Sequence, residues 1–365
     1  MSEILVGMSG GIDSTVAAWL LKQQGHNVTG ITMSIWKPDR PFHGDPNRDA
    51  CFAPSEMHDI SKTRDLCRKI GIQHIVLDIS DEYERTVLKN FREEYLNGHT
   101  PNPCVWCNQK IKFGAMVDGA RKAGLNFDFF ATGHYARIEY RNGRYALMRG
   151  KDLSKDQSYF LYRLNQEQLG CTLFPLGNYT KTEIRKIDTE LGFHPSDQTE
   201  SQDFYSGPYS DLLDVQPAEG NIVDEAGRIL GRHQGMWNYT IGQRKGLGVS
   251  AERPLYVIAL NPERNEVVVG YEERTGNTMV TADQVNWVAS TPQTGRLSGL
   301  DNSSGILSAR IRSAGYPAPC SVNVLEDGRI CASFERPVKS AACGQSLVIY
   351  DGDSVLCGGI IDSAK

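Results

Sequence analysis

Near the start of the chain, Ser9-Gly10-Gly11-Ile12-Asp13-Ser14 lies between an apolar run at residues 4–6 and a stretch, 15–24, whose apolar residues recur with helical spacing. Adjacent glycines let the backbone take positive φ and turn several N–H groups toward one point. Those groups, with the N-terminus of a following helix, make a site for an anion such as phosphate. Ser9 and Ser14 add hydroxyl donors. Asp13 supplies the hard oxygen ligand that suits a magnesium ion bridging phosphates. The loop is not a Walker loop, since no Gly-Lys-Ser/Thr follows, and it lacks the Gly-x-Gly-x-x-Gly spacing of dinucleotide sites.

A second segment, Ala131-Thr132-Gly133-His134-Tyr135, closes an apolar run at 129–132. Ligands of open parallel sheets sit beyond the carboxyl ends of strands. Gly133 there would let a nucleotide approach the backbone, and Met33, at the end of the run 28–33, would pack on an adenine ring. Taken alone, His134 reads as a structural histidine and Met33 as a core methionine. The third chemical segment is Pro101-Asn102-Pro103-Cys104-Val105-Trp106-Cys107, with Lys110 and Lys112 just beyond. Prolines pin this backbone. A helix start and nearby cations lower a thiol pKa from about 8.5, which suits a nucleophile or a metal ligand. A buried structural thiol is the plain alternative for Cys107.

These residues need a frame to hold them. Strand-like runs at 4–6, 28–33, 74–77 and 129–132 alternate with helix-like stretches at 15–24, 56–70, 82–97 and 110–123. That alternation predicts an α/β domain with a parallel sheet. The loop 37–54 is long enough to be functional. Runs at 221–223 and 228–231, and at 255–261 and 266–270, predict two hairpins of a small central α+β domain. Asp-Gly turns between 321–325 and 329–334, and between 347–350 and 355–361, predict a C-terminal antiparallel β-barrel. The expected domains are 1–203, 204–276 and 277–365.

Composition narrows the class. Of 365 residues, 40% are hydrophobic, enough for ordinary cores. Lysine and arginine number 39 against 44 acidic residues, a net charge of −5, which excludes a generally basic nucleic-acid coat but not a local basic patch. No apolar run reaches the roughly 18 residues of a membrane span, and the first residues do not form a signal peptide. A cytoplasmic location is expected. Nine cysteines are too sparse for a disulfide scaffold.

The glycine loop resembles that of ATP pyrophosphatases. With the stretch Thr100–Phe113, the segment Ala131–Tyr135, Lys155-Asp156-Gln157-Ser158-Tyr159-Phe160-Leu161, Leu173-Phe174-Pro175-Leu176-Gly177, Thr240-Ile241-Gly242-Gln243-Arg244-Lys245-Gly246-Leu247-Gly248 and the ending Cys357-Gly358-Gly359-Ile360-Ile361, the chain resembles the bacterial tRNA-specific 2-thiouridylase family over nearly its whole length. The resemblance implies ATP-dependent 2-thiolation of the wobble uridine of tRNA, by adenylation of the base and sulfur transfer. It implies ATP contacts at Gly7, Met8, Ser9, Gly10, Gly11, Ile12, Asp13, Ser14, Met33 and Gly133. It puts Asn102, Pro103 and Cys104 at the target base, Cys107 as nucleophile, and Lys155, Asp156, Gln157, Arg310 and Ile311 against tRNA. ATP, Mg2+, a wobble-uridine tRNA and a sulfur donor, either a persulfide relay protein or sulfide, are the expected partners. Adenylation turns the oxygen at ring position 2 into part of AMP, a good leaving group, which a sulfur nucleophile then expels. The base must be unstacked to react.

The pattern departs at Glu200-Ser201-Gln202-Asp203-Phe204-Tyr205, where many family members carry a second cysteine and this chain has Tyr205. Two replacements follow. Cys104 acts as partner and the pair cycles through a Cys104–Cys107 disulfide, or Cys51, Cys104 and Cys107 ligate a [4Fe-4S] cluster with one iron open. Cys67 reads as core. For tRNA, Arg149, Lys151 and Lys155 cluster in sequence, Arg244 and Lys245 sit in a glycine-rich loop, and Arg310 and Arg312 share strand parity. Rival functions are another adenylating enzyme of the ATP-pyrophosphatase type, which would not need Cys107, and a tRNA-binding relative without catalysis.

Overall fold

The computed structural model describes residues 1–45, 50–198, 203–291, 294–297 and 306–365. They fall into two compact units. The first comprises Met1–Val87, Cys104–Pro208 and Asp353–Val355; the second comprises Leu88–Pro103, Tyr209–Gly352 and Leu356–Lys365.

In the first unit, strands β1 (Glu3–Gly7), β2 (Asn27–Ser34), β4 (Gln73–Asp78), β5 (Phe129–Ala131) and β8 (Thr172–Leu173) form a sheet in the order β4-β2-β1-β5-β8. Every neighbouring pair is parallel. The apolar runs sit in this sheet because both faces are covered: α1 (Ile12–Gln23) and α2 (Glu56–Ile70) pack together on one, and the helix Met116–Lys122 packs on the other. Ile4, Val6, Ala18, Leu21, Val28, Cys67 and Ile70 make one buried cluster, so Cys67 is core. Chain order runs outward from β1 to β4 and returns to β5. The order therefore reverses between β1 and β5, which opens a crevice at their carboxyl ends. A short parallel pair, β3 (Ala50–Phe52) and β9 (Asp203–Tyr205), and an antiparallel hairpin, β6 (Ala136–Arg141) and β7 (Arg144–Arg149), complete the unit's strands among the described residues.

The expected helix at 110–123 is longer than its periodicity predicts. It starts with a turn at Pro103–Trp106, continues as a π-helical stretch Cys107–Ala115, and ends as α-helix Met116–Lys122. Proline opens a helix well because its missing N–H would have no partner there. The expected helix at 82–97 is likewise interrupted by a π-helical turn at Glu84–Leu88.

In the second unit, β10 (Gly220–Val223), β11 (Ile229–His233), β12 (Tyr256–Asn261) and β13 (Glu266–Gly270) form a sheet ordered β11-β10-β13-β12, with both expected hairpins in place. Ile222, Met236, Tyr239, Val257, Val267 and Val269 fill its core, so Tyr239 packs inward. The strands β14 (Gly276–Trp287), β16 (Leu307–Arg310), β17 (Ala318–Val324), β18 (Ile330–Lys339), β19 (Ser346–Asp351) and β20 (Ser354–Ala364) run β14-β18-β17-β16-β19-β20, and a β14–β20 ladder closes them into an antiparallel barrel. The strand β15 (Gly295–Arg296) pairs with β17. The barrel interior holds Val280, Leu307, Val322, Ile330, Leu347, Ile349 and Leu356. The turn after β18 also grips the segment that leads into the cysteine pair. Thr100 N–H donates to Cys343 O at 2.8 Å. The Gln345 side-chain amide donates to the carbonyls of Thr100 and Pro101 at 3.0 and 3.1 Å.

Candidate active site

The glycine loop stands at the carboxyl end of β1, on one side of the crevice, and Thr132–Tyr135 at the end of β5, on the other. The helix α1 begins at Ile12, so Asp13 and Ser14 are residues of its first turn. Gly10 has φ +76°, and a side chain there would drive a Cβ to 2.6 Å from Thr63 Oγ1. Ser14 Oγ donates to Gly11 O at 3.1 Å and accepts from Ser9 N–H at 3.2 Å, fixing the loop from within. Gly133 is needed for a different reason than the sequence suggests. A Cβ there would lie 2.7–2.9 Å from the Asp13 and Ser14 backbone, so its lack of a side chain lets the two rims of the crevice close on each other. Met33 is half-buried at the end of β2, opposite Leu77 on β4.

Sequence reading missed three residues around this loop. Lys181, 7% exposed, places its ammonium 2.7 and 2.9 Å from the two carboxylate oxygens of Asp13. Tyr135 Oη donates to the same carboxylate at 2.8 Å. His194 Nε2 donates to Gly10 O at 2.9 Å, since a carbonyl can only accept, and its Nδ1 lies 2.7 Å from the buried Asp188 carboxylate. The one available signal was Thr180-Lys181-Thr182-Glu183, a capping box that opens helix Lys181–Leu191. Asp13 is thus already paired with a cation and a hydroxyl donor. Among the described residues no three His, Cys, Asp or Glu side chains are disposed to hold a metal ion.

The cysteine segment behaves differently. The helix opens at Pro103, so Cys104 occupies its first turn and Cys107 the next. The expected lowering of the Cys107 pKa is reversed. Burial pushes the thiol up to about 11, Lys112 pulls it down by less, and Cys51 adds to the rise. Lys110 is exposed, whereas Lys112 is half-buried. Burial works against the Lys112 charge, and Cys107, Cys51 and Cys104 together outweigh it, holding its pKa above the ordinary lysine value. Tyr83, buried, is raised by burial and then by the same three thiols. His134 is pushed well below the usual histidine value, first by burial and then by Lys112, so it is neutral; its Nδ1 lies 2.7 Å from Thr132 Oγ1. Cys51, Cys104, Cys107, Tyr83, Lys112 and His134 thus form one electrostatic neighbourhood. Trp106 is fixed by the Arg163 guanidinium 4.5 Å from its ring centre.

The segment with the missing cysteine falls partly outside the described residues, at 199–202. Its end is visible. Tyr205 on β9 is buried, opposite Phe52 in the β3 register, with its ring 5.8 Å from that of Phe42. Cys51, exposed, lies on β3 directly beside this strand. All nine cysteines are free.

The residues expected at tRNA divide by burial. Asp156 is buried and accepts from Gly150 N–H, Ser158 N–H and Ser158 Oγ, at 3.2, 3.1 and 3.0 Å. Gln157 accepts from Tyr135 N–H at 2.9 Å. Asn102 is buried, and Pro103 and Lys155 are half-buried. In the second unit Arg310 and Ile311 are buried, and the Arg310 guanidinium donates to Ser313 O. The expectation that Arg310 and Arg312 point the same way fails because β16 ends at Arg310; Arg312 is exposed. Arg244 and Lys245 are exposed.

A parallel sheet with a glycine loop at its order reversal, a thiol segment, and a separate closed barrel define a class: an ATP-pyrophosphatase-like α/β domain joined to β-rich domains. Residues 2–205 match the family model described as the tRNA methyl transferase HUP domain, 213–271 the tRNA methyl transferase PRC-barrel domain, and 277–361 the aminomethyltransferase beta-barrel domain. Proteins named tRNA-specific 2-thiouridylase MnmA are similar over almost their whole length. That of Endomicrobium trichonymphae is 44% identical over 98% of this chain and 98% of its own. Those of Geotalea uraniireducens and Geobacter metallireducens are 42% and 41% identical over 99% of this chain, and over 95% and 97% of theirs. The chain belongs to the tRNA-specific 2-thiouridylase family.

Proposed function

We propose that the chain is a tRNA-uridine 2-sulfurtransferase that uses ATP to convert the wobble uridine of tRNA to 2-thiouridine. The observation that carries this reading is the pairing, in one compact unit, of a glycine loop at a sheet switch point with a half-buried thiol whose ionisation responds to Lys112. Methyl transfer, named in two of the matching family descriptions, releases no pyrophosphate and has no use for such a loop. The uracil oxygen at ring position 2 attacks the α-phosphorus of ATP, and pyrophosphate leaves into the N–H groups of Ser9–Ser14. The terminal sulfur of a Cys107 persulfide attacks the ring carbon, and AMP departs with the oxygen. Cys104 then attacks the Cys107 sulfur, freeing the thiolated base and leaving a Cys104–Cys107 disulfide for an external thiol to reduce. Cys107 takes its outer sulfur from the persulfide of a relay protein, whose thiol leaves, or from sulfide that opens the Cys104–Cys107 disulfide and releases the Cys104 thiolate; the reaction belongs to the cytoplasm, where its tRNA substrate is. Asp13 is the carboxylate that would be available to a magnesium ion, and in the free protein it is engaged by Lys181.

A second reading rests on the shared electrostatic contact of Cys51, Cys104 and Cys107 with Lys112. These thiols as placed do not converge into a ligand set for an iron–sulfur cluster. Iron and acid-labile sulfide on anaerobically purified protein decide between the routes: about four of each, lost in C51A, C104A and C107A, replaces the thiol route with the cluster. The function itself is tested with a wobble-uridine tRNA, ATP and a persulfide donor. 2-Thiouridine with one AMP per modified base is the expected product. Amide transfer, or indifference to Cys107→Ala, would point to another adenylating enzyme; tRNA binding without AMP release would point to a non-catalytic relative.

A further inference from the structure

Lys181 is a buried ammonium beside the glycine loop, paired there with the loop's single acid, Asp13. A cation is buried at cost unless it is paired, and burying one at an anion site carries a cost that a merely structural lysine has no reason to bear. Its backbone is held firmly. The Thr180–Glu183 capping box fixes the helix start, and Lys181 N–H donates to Asp152 at 3.0 Å. The side chain is a flexible four-carbon stem ending in three rotatable donors. The arrangement leaves a puzzle in charge: a loop built to gather N–H groups on an anion also carries a carboxylate that would repel it. Lys181 resolves this by cancelling Asp13 while the site is empty of nucleotide.

We propose that Lys181 is a phosphate-binding residue of this enzyme. Its ammonium rests on Asp13 in the free protein and turns to the β- and γ-phosphate oxygens when ATP enters, with Tyr135 Oη retaining the Asp13 carboxylate. When the bond from the α-phosphorus to its bridging oxygen breaks, the electron pair stays on pyrophosphate, and Lys181 neutralises that charge. The proposal rests on the reading that ATP binds at the glycine loop.

The test compares magnesium-ATP with AMP, by titration calorimetry, on the full chain. Lys181→Met is expected to weaken ATP at least tenfold and AMP less than threefold, and Lys181→Arg to recover part of the loss. The double variant D13N/K181M leaves no unpaired charge and guards against misfolding, which thermal unfolding checks. A phosphate contact predicts that K181M costs at least tenfold in the D13N background as well. If K181M has no effect on ATP in that background, Lys181 serves only to neutralise Asp13 and the proposal falls. Equal losses for ATP and AMP overturn it too. If wild-type protein binds no ATP, or Gly133→Ala leaves ATP binding unchanged, the loop reading itself fails and takes the proposal with it.

Discussion

The phosphate loop and the cysteine segment handle charge in opposite ways. At the loop, carboxylate and ammonium are in place and paired before any substrate arrives. At the segment, burial keeps the proposed nucleophile, Cys107, neutral at pH 7 by pushing its pKa up to about 11. Lys112 supplies a positive charge that waits for an anion the resting thiol does not provide. The contrast suits the two tasks. A phosphate site meets a ready-made anion and gains from preorganised partners. A sulfur nucleophile left as thiolate would be alkylated or oxidised between turnovers.

Five substitutions test that contrast, and the largest should leave one region intact while destroying the other. Cys107→Ser is expected to lower 2-thiouridine formation about 1000-fold or more, read by nucleoside mass spectrometry, with ATP affinity unchanged. Gly133→Ala should do the reverse. Its Cβ clashes with the Asp13–Ser14 backbone, so ATP binding should weaken at least tenfold and the fold lose about 1–3 kcal/mol in denaturant unfolding, while Cys107 alkylation is unaffected. The pH dependence of Cys107 alkylation by iodoacetamide, followed by peptide mass spectrometry, sharpens the other side. The rate should rise about tenfold per unit between pH 7 and 10, because thiolate is the reacting form. Lys112 favours that form, so Lys112→Met should move the profile to higher pH and slow alkylation at pH 8. Cys51 disfavours it, so Cys51→Ala should move the profile slightly lower. The smallest effect belongs to Thr180→Ala, which removes a cap from the helix carrying Lys181 and should cost about 1 kcal/mol of stability.

The alternating runs made the parallel sheet legible, because strands covered on both faces must be continuously apolar. The Asp-Gly turns likewise announced the barrel hairpins. The glycine loop was readable because its chemistry is carried by neighbours in sequence. What stayed hidden depends on distance in the chain. Lys181 meets Asp13 across 168 residues, and His194 meets Gly10 across 184. The Cys107 pKa went the wrong way because proximity of Lys112 in sequence is visible, while the burial that outweighs it is not. The parity argument for Arg310 and Arg312 failed because it assumed a strand that in fact stops two residues short of Arg312.

The grip of the Cys343–Gln345 turn on Thr100 and Pro101 bears on how the chain can be cut and exchanged. Those carbonyls sit three and four residues ahead of Cys104, and the bonds that hold them come from near the far end of the polypeptide. A fragment ending at residue 205 would retain every strand of the parallel sheet and the whole glycine loop. It would lose what anchors the approach to its own cysteines. The matched family segments are therefore not interchangeable parts: a transplanted barrel must bring an amide at position 345 and a carbonyl at position 343 in register.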